Sequence, residues 1–414
     1  MTSLHEARKE AERSGAEPRG PLAGVTVIDL SWHLAGPYCT LILADLGASV
    51  IKVEAPASRG GYDPGGFKRH EFKGQDAHYM SLNRNKKSVT LNLKTTEGKE
   101  LLGRLVEGAD VLFNNFRAGV MERLGLGYEA MRQVNRSLIY ASLTSFGQDG
   151  PYRDMSGVDL VVQALSGGMS MTGMPGEPPV RAGIPVGDLA GGMWASIAIL
   201  SALHARTAGT LEGTRLDLSL LDGQIAMIPY FSAYYFLDGS VPGPQGSGGH
   251  SPTYGAFRCA DDRYIVIAVI DQAPWAKLCR ALQRPDWMAD DRFATAEQRF
   301  ANAGVLTKEL NAIFAAATCE TWIDRLRAED VQCAPVNTLD RALEDPQVLN
   351  RKMILNIDHV LGGNLRFVDT PVHFDEFQRP TDSPPVLGQD NAQILGRVGV
   401  DEARLEWLRT HGVV

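Results

Sequence analysis

The sequence predicts a two-domain α/β protein built on a parallel β-sheet, and three observations predict it. β-Branched runs alternate with segments of helical period along the amino-terminal part of the chain. Gly/Pro-rich junctions then interrupt the alternation twice, and a new strand-like run, YIVIAV at 264–269, follows the second junction. A chain of 414 residues that is 44% hydrophobic can bury a large core, with room for two domains or one domain and a substantial insertion.

Val25–Leu30 (VTVIDL) reads as a buried strand, followed by a Gly-Pro break at Gly36 and Pro37. Tyr38–Leu46 carries apolar residues at helical spacing, and Gly47 stops it before a second strand at Ser49–Glu54 (SVIKVE). The opening is therefore a β-α-β crossover. The pattern repeats with a strand at Val89–Leu93, a helix over Glu97–Glu107, a strand at Val111–Phe113 and another at Leu138–Leu143. Such alternation implies a parallel sheet covered on both faces.

From Ser166 to Gly192 the chain is rich in Gly, Pro and Met, ahead of an apolar helix expected from about Leu189 to Arg206. A segment of that kind is costly to order unless it lines something. The second Gly/Pro/Ser-rich stretch, 239–255, leads into YIVIAV and then into helical patterns at Trp275–Leu282, Asn302–Ala315 and Thr321–Ala328. These form the expected smaller α/β domain. A strand-like run at Leu365–Phe374 and the PPVLGQDN segment suggest a return to the first domain. The expected boundaries are a tail over 1–19, a large domain over 20–222 completed by 330–414, and a small domain over 223–329.

A formal net charge of −8 gives no general attraction for a polyanion. Nucleic acid is therefore not an expected partner, and an anionic ligand must be held by local basic groups. The five cysteines are scattered and contain no C-x-x-C pair, which argues against a disulfide framework or a zinc site. A reducing, cytoplasmic setting and metal-free chemistry are expected. The first twenty residues are polar and mixed in charge, without the apolar centre of a secretory signal. No stretch nears the roughly 18 uninterrupted apolar residues of a membrane span, so no membrane association is expected.

Four segments are candidates for chemistry. The β-α-β opening invites a dinucleotide, and Glu54 sits where an acidic ribose ligand would. The intervening loop, SWHLAGPYC, has no G-x-G-x-x-G to close on a pyrophosphate, and Glu54 then reads as an ordinary polar strand end. Asn83–Ser88 (NRNKKS) places three positive charges before a strand, either to grip a phosphate or, more commonly, as a solvated turn. Asn114–Gly119 (NNFRAG) follows a strand at its carboxyl end, where open α/β sheets bind ligands; polar loops are equally ordinary there. The most informative segment is Gly183–Gly192 (GIPVGDLAGG), with Asp188 at the mouth of an apolar helix and glycines on both sides. Asp188 can be an N-cap, a nucleophile or both, because a helix N-terminus favours the ionised carboxylate that a nucleophile needs.

In order along the chain, GPLAGVTVIDLSWHLAGPY, NRNKKSVTLNLKTTEGKE, NNFRAGVMERLGLGYE, SLTSFGQDGPY, GVDLVVQALSG and VGDLAGG closely resemble the family III CoA-transferases. That family includes formyl-CoA transferase, carnitine CoA-transferase and α-methylacyl-CoA racemase, and the resemblance runs from Gly20 to the carboxyl terminus. It implies a large Rossmann-like domain and a small α/β domain, in a homodimer whose two chains interlink like rings. It also implies no permanently bound cofactor; coenzyme A and acyl-CoA are substrates. CoA contacts would fall on Leu34, Ala35, Leu91, Leu93, Asn115, Phe116 and Arg123, the catalytic aspartate on Asp188, and a glycine-rich flap on Gly246, Gly248 and Gly249.

The expected reaction moves CoA from an acyl-CoA to a small carboxylic acid, dicarboxylates included, through an acyl-aspartyl anhydride and an aspartyl-CoA thioester. Arg181, close before Asp188, is a candidate for the distal carboxylate of a dicarboxylate. Two alternatives stand beside this reading. A 2-methylacyl-CoA racemase needs a second base, and the histidine of the racemase Gly-His-Asp triplet is replaced here in Gly157-Val158-Asp159. A CoA-binding protein without turnover would keep the site and lose the chemistry. Leu34 stands where formyl-CoA transferases carry glutamine, which points away from formate and oxalate.

Overall fold

The computed structural model describes residues 20–59, 70–249 and 251–414; the expected tail over 1–19 lies outside them. The chain divides into two compact units. The first comprises the described residues up to Ser166 together with Ala182–Phe236 and Asn350–Val414; the second comprises Gly167–Arg181 and Leu237–Leu349.

Six parallel strands form the sheet of the first unit: β1 (Thr26–Asp29), β2 (Ser49–Glu54), β3 (Lys86–Thr90), β4 (Val111–Asn114), β5 (Ile139–Thr144) and β6 (Thr214–Ser219). Among its helices are α1 (Ala35–Asp45), α2 (Ala77–Asn83), α3 (Thr96–Glu107), α4 (Asp159–Leu165), α5 (Val186–Thr207) and α6 (Leu220–Ile225). The strand order is β3-β2-β1-β4-β5-β6, with Val27 opposite Val50 on one side and Val111 on the other. The order reverses between β1 and β4, and a doubly wound sheet opens a crevice at the carboxyl ends of such strands.

Strand alternation explains the two-sided cover. Val27 and Val50 turn to one face, against Cys39 and Leu43 of α1 and Ala195 and Ile199 of α5. Ile28 and Ile51 turn to the other, against Leu102 and Leu105 of α3 and Ile394 and Leu408 of the carboxyl-terminal helices. The segment after Asn350 thus closes the core that the amino-terminal strands open.

Several element boundaries differ from expectation, each for a local reason. β3 begins at Lys86, three residues before the expected strand, because Lys86 is buried and ion-paired where an apolar pattern reads only charge. β6 was not anticipated from TRLDLS, whose side chains are only partly buried at the sheet edge. α1 begins at Ala35 and carries Gly36 and Pro37 in its first turn; proline there gives up an amide that has no intrahelical partner anyway. α5 begins at Val186, with Pro185 at the N-cap position, so Asp188 lies in the first turn and is not the cap. α5 is also long and apolar enough to cross a membrane, with mean hydropathy 1.5, but half of that window is buried inside the protein.

The second unit has a three-stranded antiparallel sheet, with Tyr264–Ala268 between Tyr254–Arg258 and Cys333–Pro335. Helices Gln272–Ala281, Ala303–Phe314 and Cys319–Ala328 cover it, and Trp275 stacks on Trp287 in its core at 5.8 Å between ring centroids. The strand Tyr254–Arg258 (YGAFR) was missed because its glycine and exposed ends conceal the period-two pattern.

Candidate active site

The crevice is held open from below by an ion cluster. Asp29, at the end of β1, is fully buried. One carboxylate oxygen accepts from the Ser31 amide at 2.8 Å, and the other from Thr40 Oγ1 at 2.6 Å and Lys86 Nζ at 3.3 Å. Lys52 Nζ lies 3.8 Å from the same carboxylate and donates to the Ser31 carbonyl at 2.8 Å, which fixes the turn after β1. Burial pushes the Asp29 pKa up, but Lys52, Lys86 and the two hydroxyls outweigh it and hold the carboxyl below its ordinary value. Burial pushes Lys86 down to about 8, against the pull of Asp29.

The NRNKKS segment is thus neither a solvated turn nor a phosphate grip. Lys86 points into this cluster, and the buried Arg84 pairs with Asp45 and, at 3.5 Å, with Asp369. Charges of this kind are spent inside the protein.

Above the cluster two cavities occupy the strand ends. A cleft of about 370 Å³ is lined by Val53, Leu91, Leu93, Phe116, Val120 and Leu124, with Lys52 and Glu54 among its polar groups. Glu54 is buried, contrary to its reading as an ordinary strand end. Its Oε2 accepts from Tyr79 at 3.0 Å and Ser88 at 2.6 Å. A second cavity of about 350 Å³ is lined in part by His33, Asn115, Arg117, Ser145, Arg153 and Val158. Trp32 and Phe116 line both cavities and meet edge-on, 6.1 Å between centroids. Asn115 braces that wall: its Oδ1 accepts from the Trp32 amide at 2.8 Å and its Nδ2 donates to the Trp32 carbonyl at 2.9 Å.

Asp188 is half-buried in the first turn of α5. Asp159, the first residue of α4, supplies the cap that Pro185 lacks. Its Oδ1 accepts from the amides of Gly187 at 2.8 Å and Asp188 at 3.3 Å, while its Oδ2 accepts from Gln163 at 2.6 Å. Because Gly157 and Val158 line the second cavity, this bond ties the backbone of Asp188 to the cavity wall. Glycines permit the packing. A Cβ on Gly187 would stand 3.1 Å from Asp159, and one on Gly192 only 2.6 Å from the Ala35 carbonyl of α1. Burial, and after it the charge of Asp159, pushes the Asp188 pKa up to about 6. The helix N-terminus was expected to keep this group strongly ionised; desolvation and a like charge win, and the carboxylate is still the majority form at neutral pH.

The residues matched by resemblance divide as follows. Leu91, Leu93, Asn115 and Phe116 line the cavities. Leu34 and Ala35 line neither; they open α1, and the Ala35 carbonyl packs against Gly192. Arg123 is exposed on the short helix Val120–Leu124 and reaches back over Gly119. Arg181, Gly246, Gly248 and Gly249 are exposed residues of the second unit, where the Gly246 amide donates to the Gly173 carbonyl at 2.7 Å. Sequence reasoning missed Asp29, Lys52, Trp32 and Arg153. Asp29 and Lys52 carried a usable signal, as charged residues inside otherwise apolar strands.

Comparison with known proteins identifies the family. Residues 22–391 match CoA-transferase family III. The chain is similar to succinyl-CoA:glutarate CoA-transferase of Mus musculus, 32% identical over 97% of this chain and 92% of that protein. It is likewise similar to succinyl-CoA:mesaconate CoA-transferase of Haloarcula marismortui, 35% identical over 92% of this chain and 97% of that protein. Among solved structures, a CAIB/BAIF family protein from Brucella suis superposes with a TM-score of 0.83 at 31% identity, covering 92% of this chain and all of that one.

Proposed function

Since the chain belongs to the family III CoA-transferases, we propose that it moves CoA from a dicarboxylyl-CoA such as succinyl-CoA to a second dicarboxylic acid, with Asp188 as the nucleophile. The observation that carries the reading is Asp188 itself, a half-buried carboxylate whose backbone amide is held by Asp159 and which has no cation beside it among the described residues. Similarity to enzymes named for glutarate and mesaconate supports the choice of dicarboxylates.

The chemistry follows from the group. A carboxylate oxygen of Asp188 attacks the thioester carbonyl; the carbon–sulfur bond breaks and CoA leaves as the thiolate, giving an acyl-aspartyl anhydride. The thiolate then attacks the aspartyl carbonyl and releases the donor acid, leaving an aspartyl-CoA thioester. The acceptor carboxylate repeats both steps in reverse. One thioester is present at the start and the end, so no nucleotide hydrolysis is needed. A carboxylate titrating near 6 is mostly ionised at neutral pH, and its raised basicity makes it a better nucleophile than an ordinary aspartate. The racemase alternative needs two free bases, whereas Asp159 is engaged with α5 and Val158 presents an alkyl side chain to the cavity.

The same reading makes the working unit a homodimer. Met193, Trp194 and Ile197 of α5 are exposed, as are Tyr230 and Tyr234, and Phe236 is 80% exposed. Apolar surface of that extent fits a protein interface. Sedimentation of a folded, active monomer would refute it.

The nucleophile is tested by incubation with succinyl-CoA followed by borohydride, which reduces an aspartyl-CoA thioester to the alcohol. The expected result is a mass loss on the peptide carrying Asp188. The same modification on Asp159, or none with exchange intact, overturns the assignment.

A further inference from the structure

We propose that Gln163 is a positioning residue for the transfer reaction: its amide clamps both ends of the Ala182–Asp188 loop and so fixes where the Asp188 carboxylate stands. The inference rests on the functional reading above and extends it to a buried side chain that lines neither cavity. Neither the resemblance nor the reading of the sequence singled it out.

The clamp has two arms. Gln163 is 3% exposed on α4, one turn after Asp159, so the two side chains lie on one face of that helix. Its Nε2 donates to Asp159 Oδ2 at 2.6 Å, and its Oε1 accepts from the Ala182 amide at 2.9 Å. The partners dictate the orientation of the amide, since an ionised carboxylate only accepts and a backbone N–H only donates. Asp159 Oδ1 in turn accepts from the amides of Gly187 and Asp188. The loop AGIPVGD is thus held at its first residue by Gln163, and at its last two by an aspartate that Gln163 orients.

Packing gives this loop little hold. Gly183 and Ile184 are exposed, and Pro185, at the N-cap position of α5, makes no side-chain cap. A cap from the preceding residue fixes a helix only to its own chain. Here the cap comes from α4, so the first turn of α5 is referred to a separate helix. That helix is itself tied down, because Ser166 Oγ just beyond its end donates to Gln224 Oε1 of α6 at 2.7 Å. Removing the Gln163 amide breaks both arms at once and frees the Asp159 rotamer that holds Asp188. Nucleophilic attack tolerates little displacement: a shift of about 1 Å costs about 10²-fold in rate.

The test uses the full chain as wild type, Gln163→Met and Gln163→Glu. Methionine keeps the length of the side chain and removes both polar atoms. Formation of the covalent thioester from succinyl-CoA is followed in a single turnover, which separates the rate constant from the fraction of sites that react. Gln163→Met is expected to lower the rate constant about tenfold or more, with the reacting fraction and the affinity for CoA each within about twofold. An unchanged rate constant overturns the proposal, also where the reacting fraction falls, which is the split of a residue that only stabilises the fold. Gln163→Glu restores both arms only while it carries a proton: the carboxyl O–H then donates to Asp159 Oδ2, and its carbonyl oxygen accepts from the Ala182 amide. As pH rises that proton is lost and two carboxylates face each other, so the variant should gain an alkaline fall in kcat that the wild type lacks. A profile like that of the wild type overturns the clamp, and this profile decides alone if Gln163→Met does not fold. Should the wild type exchange no CoA at all, the functional reading fails separately. Hydrogen exchange on the folded chains then decides the clamp: faster exchange at the Ala182, Gly187 and Asp188 amides of Gln163→Met sustains it, and unchanged exchange overturns it.

Discussion

Asp29 and Asp188 are both removed from water in one α/β unit, yet their surroundings drive them in opposite directions. Asp29 is the more deeply buried, and Lys52, Lys86, Ser31 and Thr40 hold it ionised in spite of that. Asp188 keeps more contact with solvent, but its charged neighbour is another aspartate, and its pKa is pushed up to about 6. Depth of burial therefore does not decide reactivity; the sign of the company does. A carboxylate surrounded by donors is scaffolding, whereas one left without cations keeps its lone pairs for a substrate.

The largest expected effect falls on exchange. Asp188→Asn should lower CoA exchange by about 10⁴-fold or more, since the amide cannot form the anhydride. The same variant should be about 1 kcal/mol more stable in urea near neutral pH, because it removes a desolvated charge beside Asp159. A stability loss there would break the contrast.

Asp29→Asn should do the reverse to folding. It leaves two buried lysines without their carboxylate, and a loss of about 3–5 kcal/mol is expected from the urea midpoint and slope. A near-neutral result would mean that the cluster does not hold the crevice.

Gly192→Ala places a Cβ 2.6 Å from the Ala35 carbonyl, where two helix backbones must part. The expected cost is about 1–3 kcal/mol, with a fall in kcat as the first turn of α5 shifts. Unaltered stability and kcat would show that the crossing does not position Asp188.

The last effect concerns pH. A raised carboxylate pKa means the nucleophile is lost as pH falls through about 6, so kcat/KM should drop about tenfold per unit below that point and level off above it. Asp159→Asn keeps an oxygen to accept from the Gly187 and Asp188 amides but removes the like charge, and the acid limb should move to lower pH. A limb that stays in place assigns the shift to burial alone.

How far the sequence could be read follows from the same contrast. The strands VTVIDL and SVIKVE and the helix over Glu97–Glu107 were legible because apolar period is a local property, and the carboxyl-terminal return was suggested only by the strand-like run at Leu365–Phe374 and the PPVLGQDN segment. The start of β3 was not, because Lys86 is a core residue only by virtue of an aspartate 57 positions earlier in the chain. Asp188 could be singled out from its flanking glycines and apolar helix, but its role as first-turn residue, with Asp159 supplying the cap, could not. Glu54 looked ordinary because nothing in the local sequence reveals that Tyr79 and Ser88 enclose it.

The sequence by itself determined the alternation of strand and helix, the glycines that allow close approach, and the position of the aspartate proposed as the nucleophile. Only the tertiary structure decided which charges are neutralised inside the protein and which stay at its surface. The physical reason is range. Hydrophobic period and backbone permissiveness act over a few residues, whereas a pKa or a buried ion pair depends on groups that meet only when distant segments fold together.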